Sequence, residues 1–171
     1  MASRSQKEAG APRITEHGQP CWFVVRSSVT IPNSVTALVD YAFNNCASLQ
    51  GVYFKGNALS LGSYVFSGDT NTTIYYLSRT TDWDTTFGDI STAPWLPQVQ
   101  SSNAAFGVQT NQFEFDINWA SGQTVVVEAC TDLADPIWTS VGTNTLTGGS
   151  SYFSDLQWRN YPDRFYRLRS P

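Results

Sequence analysis

The chain is poor in charge and contains no long apolar run. Charged residues make up 14% of its 171 residues, well below the roughly 25% of an average soluble domain. With only ten Lys and Arg and a net charge of −4, it lacks the many basic groups on which nucleic-acid affinity depends. No stretch approaches the roughly 20 apolar residues of a membrane-spanning helix. We therefore expect neither a nucleic-acid partner nor membrane insertion.

Histidine and cysteine are scarce as well. The one histidine is His17, and Cys21, Cys46 and Cys130 lie far apart. No pair has the spacing of metal ligands, so we expect no metal and no cofactor. A serine or cysteine nucleophile would depend on His17, which precedes both candidate folded regions. Cys46 is expected to be a buried thiol, with a Cys21–Cys46 disulfide as the alternative in an oxidising compartment.

A faint internal repeat is the most informative feature that is present. Val-Thr-Ile at residues 29–31 returns as Val-Tyr-Phe at residues 52–54, at an offset of 23. The pattern Leu-x-x-Tyr-x-Phe at residues 38–43 returns at residues 61–66 with the same offset. A fixed period of this size is typical of a leucine-rich-type solenoid. A third strand is expected at residues 74–77, one residue short of the period, after which the repeat decays.

These residues resemble the BspA-type leucine-rich repeats of bacterial surface proteins, most closely at residues 29–36 and 41–49. The resemblance extends over residues 29–88, although the second unit carries Ser-Gly-Asp at residues 67–69 in place of Asn-Asn-Cys. It implies a solenoid of two to three units over residues 21–91, in which Leu38, Tyr41 and Phe43 face the core. It also implies an adhesin or ligand-binding segment with a strand-lined contact face and no catalytic residue.

The second half of the chain changes period. Two prolines interrupt residues 92–111, which we expect to be a junction. At residues 112–119 apolar and polar residues alternate, which indicates an amphipathic strand, and residues 124–130 form a second, valine-rich one. Short strands separated by turn residues predict a small antiparallel β-sandwich-like module over residues 112–171. Residues 125–168 resemble a C-terminal β-module of large secreted proteins of environmental bacteria, for which attachment or display is the suggested role.

Residues 1–20 are polar and contain no apolar run of the kind that a secretory signal carries. We expect a disordered tail, a remnant of cloning, or the beginning of a piece of a longer surface protein. Together with the resemblance, the composition favours a secreted or cell-surface location.

A catalytic pair is the alternative to a binding role. Glu114 and Asp116 are two residues apart on one expected strand, which places both on one face. Paired carboxylates are what glycosidases use, but solvent-facing acids on an amphipathic strand are ordinary. The sequence therefore leans against an enzyme, and a hydrolase acting on a polysaccharide or ester is the alternative.

Aromatic residues provide the better functional lead. Tyr53, Lys55 and Tyr75 lie on or beside the repeat strands, and Trp158 and Tyr161 lie in an expected loop. Exposed aromatic faces stack on sugar rings while neighbouring polar groups bind the hydroxyls. The favoured function is non-enzymatic binding or adhesion to a glycan or a protein, and a structural spacer or cap is a third alternative. An open solenoid edge could also pair two copies into a homodimer.

Overall fold

The computed structural model describes residues 27–171. The chain divides after Trp95 into two compact units. The described residues contain strands and a single 3-10 turn at Trp158–Asn160 but no α-helix. No helix among them is long and apolar enough to cross a membrane. The tail expected at residues 1–20 lies outside the described residues.

The first unit is a β-solenoid of about three turns. Its strands β1 to β7 span Ser28–Ile31, Ala37–Leu38, Gly51–Phe54, Ser60–Leu61, Thr73–Tyr76, Thr86–Phe87 and Ile90–Pro94. Strands β1, β3, β5 and β7 form a parallel sheet in that order, and β6 pairs with β7 in the antiparallel direction. Strands β2 and β4 form a second, two-stranded parallel sheet. The predicted fold class is confirmed.

Hydrogen bonds confirm the 23-residue period. Val29 pairs with Val52 across β1 and β3, and Leu38 pairs with Leu61 across β2 and β4. In the following corner, each backbone N–H donates over 2.7–3.0 Å to the carbonyl just before the residue that lies 23 positions on: Tyr41 to Ser63, Phe43 to Val65 and Asn45 to Ser67. Across β3 and β5, Val52 pairs with Ile74, one residue short of the period as predicted.

The solenoid core is built from side chains that recur at this period. Val52 and Ile74 are fully buried, and Leu38 and Phe43 are buried as expected. The expectation for Tyr41 is wrong, because its side chain is 58% exposed. Tyr41 lies at a corner with φ of 59°, and its ring stacks outside the coil on Tyr64, 5.5 Å away between ring centroids.

A fourth parallel strand, β7, lies where the repeat was expected to decay. Thr92 pairs with Ile74, so the last coil is shorter than the others. Pro94 ends this strand without disrupting it. Trp95 N–H donates to Tyr76 O over 2.6 Å, and β6 pairs only with the first two residues of β7. The missing N–H of Pro94 therefore faces a side where no strand lies opposite it.

The second unit consists of two antiparallel sheets. Its strands β8 to β14 span Gln98–Gln100, Gly107–Gln109, Gln112–Asn118, Thr124–Cys130, Thr139–Thr145, Ser150–Asp155 and Phe165–Arg169. One sheet has the order β13-β10-β8, with β9 also on β10, and the other has the order β12-β11-β14. Phe115 of the first sheet packs edge-on against Tyr166 of the second. Residues 92–111, expected to be a junction, include the end of β7 and strands β8 and β9.

The cysteines differ from the first expectation. Cys46 is disulfide-bonded rather than a buried thiol. The partner considered from the sequence, Cys21, lies outside the described residues. Cys130 is a free and buried thiol.

Candidate functional site

Three aromatic rings lie on the outward face of the parallel sheet. Because side chains alternate along a strand, Tyr53 and Tyr75 lie on the face opposite to the core residues. They pair directly across β3 and β5, and their rings stack with centroids 4.7 Å apart and planes inclined by 11°. Trp95 lies 4.8 Å from the ring of Tyr53, tilted by 58°. We call Tyr53, Tyr75 and Trp95 the aromatic face.

A glycine lets one of these rings lie close to the sheet. A Cβ atom on Gly51 would come within 2.8 Å of Cε2 of Tyr53, closer than real side chains allow. Tyr53 therefore packs along the surface of its own strand. The rings of the aromatic face are all half-buried, which leaves part of each ring open to a ligand.

Burial, and to a smaller extent Tyr75, raises the pKa of Tyr53 above its ordinary value of 10.0. Its hydroxyl is therefore protonated at neutral pH and can both donate and accept a hydrogen bond. The aromatic face thus combines apolar ring surface with polar tips, the combination found where one ligand has both apolar and polar edges.

Lys55 directly follows β3 and lines a cleft of about 450 Å³. Asn33, Asn57 and Thr80 also line this cleft, which lies where β1 and β3 end. Asn57 is held in place because its Oδ1 accepts the Thr81 N–H over 3.1 Å. The cleft supplies amide, hydroxyl and ammonium groups beyond the end of the strand that carries Tyr53.

Trp158 and Tyr161 belong to the second unit, whereas Tyr53, Lys55 and Tyr75 belong to the first. Trp158 lies in the 3-10 turn and not in an irregular loop, and its Nε1–H donates to Asn111 O over 3.2 Å. The guanidinium of Arg164 lies 4.1 Å from the centre of the Tyr161 ring. These contacts hold the turn in place and occupy part of the surface of the Trp158 and Tyr161 rings.

The carboxylate pair differs from its expected placement. Glu114 is only 8% exposed, so the expectation of a solvent-facing acid is wrong for it. Its carboxylate accepts a hydrogen bond from the Gln112 side chain, and hydrogen bonding to it raises the pKa of Tyr152. The Asp116 carboxylate accepts a hydrogen bond from the Asn103 side-chain amide over 2.7 Å. Both carboxylates thus hold neighbouring side chains of the second unit.

No group of three or more His, Cys, Asp and Glu side chains among residues 27–171 could hold a metal ion. The absence of a cofactor stays an expectation.

Trp95 is the member of the aromatic face that is not among the binding residues predicted from the sequence. Its neighbouring prolines indicated a junction, which concealed the alternation of residues 90–94 as a strand. The signal that could have found it is alternation along β7, because Ala93 pairs with the outward-facing Tyr75 and Trp95 lies two residues later. A residue just beyond a fourth strand lies beside the outward positions of the preceding strands.

Comparison with known proteins covers the first unit alone. Residues 24–87 match the family model described as "BspA type Leucine rich repeat region (6 copies)". No curated protein and no solved structure matches the chain. The resemblance of residues 125–168 to a C-terminal β-module stays a prediction. Residues 24–87 are similar to BspA-type leucine-rich repeats, a repeat family associated with surface proteins and adhesion.

Proposed function

We propose that the first unit is a non-catalytic binding module of a surface protein, and that it recognises a glycan through the aromatic face. The observation that carries this proposal is the contiguity of three half-buried rings on the outward side of the sheet. The solenoid core does not need them, because its inward row is filled by other side chains.

Sugar rings suit this surface for a physical reason. A pyranose presents an apolar C–H face and a rim of hydroxyls, and aromatic side chains stack on such faces while polar tips bind the rim. The rings of Tyr53 and Tyr75 stack face to face with their planes inclined by 11°, and the Trp95 ring is inclined by 58° to the Tyr53 ring. The nearby cleft adds hydrogen-bond donors and acceptors from the side chains of Asn33, Asn57 and Thr80.

The other candidate functions have less support. For a hydrolase, Glu114 and Asp116 would have to approach a substrate while each holds an amide partner. A spacer needs no aromatic surface on its outward face. A secreted or surface location is supported by the disulfide at Cys46, because disulfides persist mainly in oxidising compartments.

The test begins with a glycan array on the full chain. The best oligosaccharide is then titrated into 15N-labelled protein while the Tyr53 amide resonance is followed. Replacing Tyr75 by Ala removes one stacking ring, and we expect affinity at this face to fall about tenfold. The control is Tyr152→Ala, which removes an exposed strand tyrosine of the second unit and should change affinity less than threefold.

Two results would refute the proposal. One is an array without saturable glycan binding. The other is an affinity at the Tyr53 resonance that Tyr75→Ala and Tyr152→Ala leave equally unchanged.

A further inference from the structure

The solenoid ends on one side in an open corner at residues 61–68. In the preceding corner, N–H groups of Tyr41 and Phe43 donate to the next coil. One period later, the equivalent N–H groups of Tyr64, Phe66 and Gly68 have no hydrogen-bond partner within residues 27–171. Three backbone N–H donors are thus unbonded in a row. A ligand that covers them must supply acceptors, because an unpaired N–H group that is shielded from water costs free energy.

A notch of about 530 Å³ lies at this corner. It is lined by residues 61–67 together with Gly88 and Asp89, so backbone donors and a carboxylate border the same space. This volume is within the usual range of small-ligand sites. We call it the corner notch.

Tyr64 lies at the rim of the corner notch and is 66% exposed. One face of its ring stacks on Tyr41, and no other aromatic ring of the described residues contacts it. Its φ of 54° places a bulky side chain in the left-handed region, as for Tyr41. That conformation costs about 1–2 kcal/mol, and no burial of the ring offsets the cost.

An added strand fits this corner poorly. Strand addition needs alternating N–H and C=O groups along one edge. Here the carbonyls of Tyr64 and Phe66 already accept the N–H groups of Ser67 and Asp69 over 3.3 and 3.1 Å. At Tyr64 and Phe66 the corner therefore presents unbonded N–H groups beside bonded carbonyls, and two such segments facing each other in a symmetric dimer would place donor against donor.

A coil from a second copy is also obstructed. Within the chain, Phe43 stacks on Phe66 with centroids 5.5 Å apart. A further coil would need to place its phenylalanine on Phe66 in the same way. Gly88 already packs there, since a Cβ on it would lie 2.9 Å from the Phe66 ring.

We propose that the corner notch binds a single unit of a neutral oligosaccharide. The sugar ring stacks on Tyr64, the N–H groups of Tyr64 and Phe66 donate to its oxygens, and the Asp89 carboxylate accepts from a hydroxyl. Neutral sugars carry acceptors and donors on every hydroxyl, which matches the mixed lining, whereas Asp89 repels an anion. This site is separate from the aromatic face and does not depend on it.

The test is a 15N titration of the full chain with hexamers of β-1,4-linked glucose, β-1,4-linked N-acetylglucosamine and β-1,4-linked mannose. The amide resonances of Tyr64, Phe66 and Gly68 are followed, and we expect them to shift and saturate with at least one hexamer. Tyr64→Gly keeps the left-handed backbone while removing the ring, and should weaken that binding about tenfold. Tyr41→Gly is the matched control from the other end of the same stack, with an expected loss below threefold.

The inference is overturned if no hexamer shifts the three amides, or if Tyr64→Gly and Tyr41→Gly weaken binding equally. It is also overturned if sedimentation shows a dimer that Tyr64→Gly dissociates, since a second copy would then occupy the corner. Repeating the titration with Tyr75→Ala separates the two proposals. Loss of shifts at Tyr53 with retained shifts at Tyr64 supports both sites, and retained shifts at both positions count against the aromatic face alone.

Discussion

Replacing Asp69 by Asn should remove a pH dependence from the stability of the solenoid. Asp69 is 2% exposed, and its Oδ1 accepts the Cys46 N–H over 2.5 Å. Its Oδ2 is buried with no hydrogen-bond partner. Burial therefore raises the pKa of Asp69 from 3.8 to about 6, although the bond from Cys46 acts in the opposite direction.

The magnitude follows from linkage. A carboxyl whose folded pKa exceeds its unfolded pKa contributes stability that is fully present below pH 3.8 and is lost as the pH rises through 6. At about 1.4 kcal/mol per pKa unit, the loss for Asp69 is on the order of 3 kcal/mol. Asn keeps an acceptor for the Cys46 N–H but cannot ionise. The free energy of unfolding of Asp69→Asn should therefore gain about 3 kcal/mol relative to the wild type between acid pH and pH 8.

The assay is urea unfolding of 15N-labelled protein at several pH values between about 4 and 8. The amide peaks of Val52 and Ile74 report on the solenoid core. The test follows how the difference in free energy of unfolding between the wild type and Asp69→Asn changes with pH. The absolute difference is not used, because the unpaired amide of Asn adds a cost of about 1–3 kcal/mol that does not depend on pH. Parallel pH profiles for the wild type and Asp69→Asn would contradict the raised pKa of Asp69 in the folded protein.

Three further changes test the packing. Gly51→Ala places a methyl group against the ring of Tyr53 and should cost about 1–3 kcal/mol in thermal or urea unfolding; an unchanged stability would show that the ring does not lie on the strand. Hydrogen bonds from Arg169 and Arg167 lower the pKa of Glu128. The stabilising contribution of Glu128 is therefore present above pH 4.5 and lost in acid. Glu128→Gln should be less stable than the wild type at pH 7 but not at low pH, and an equal deficit at both would contradict the ion pairs. Phe115→Ala empties a fully buried position of the second unit and should cost about 3–5 kcal/mol; a loss below about 1 kcal/mol would contradict its place in that core.

The period of the solenoid could be predicted from the sequence, but the direction of each recurring side chain could not. Stacked coils place identical residues above one another both inside and outside the core. Phe43 stacks on Phe66 inside, and Tyr41 stacks on Tyr64 outside. Both pairs therefore recur at 23 residues, and the repeat does not show the left-handed φ that accompanies the exposed side chain of Tyr41.

Other features depend on contacts distant in sequence. Alternation places Glu114 on the polar side of its strand, but its burial arises because side chains of the same sheet cover that side. Trp158 is held by Asn111, which lies 47 residues away. Tyr53 and Tyr75 could be placed together from the repeat alone, because equivalent outward positions on stacked coils are neighbours.

Saturation-transfer NMR between the aromatic face and the best array oligosaccharide tests most directly whether these rings bind a sugar. It is measured in a Tyr64→Gly background so that the corner notch contributes little. Binding at the aromatic face predicts transfer to the C–H face of the sugar, strong reduction when Tyr75 is replaced by Ala, and retention when Tyr152 is replaced by Ala. Equal transfer in the Tyr75→Ala and Tyr152→Ala proteins would contradict it.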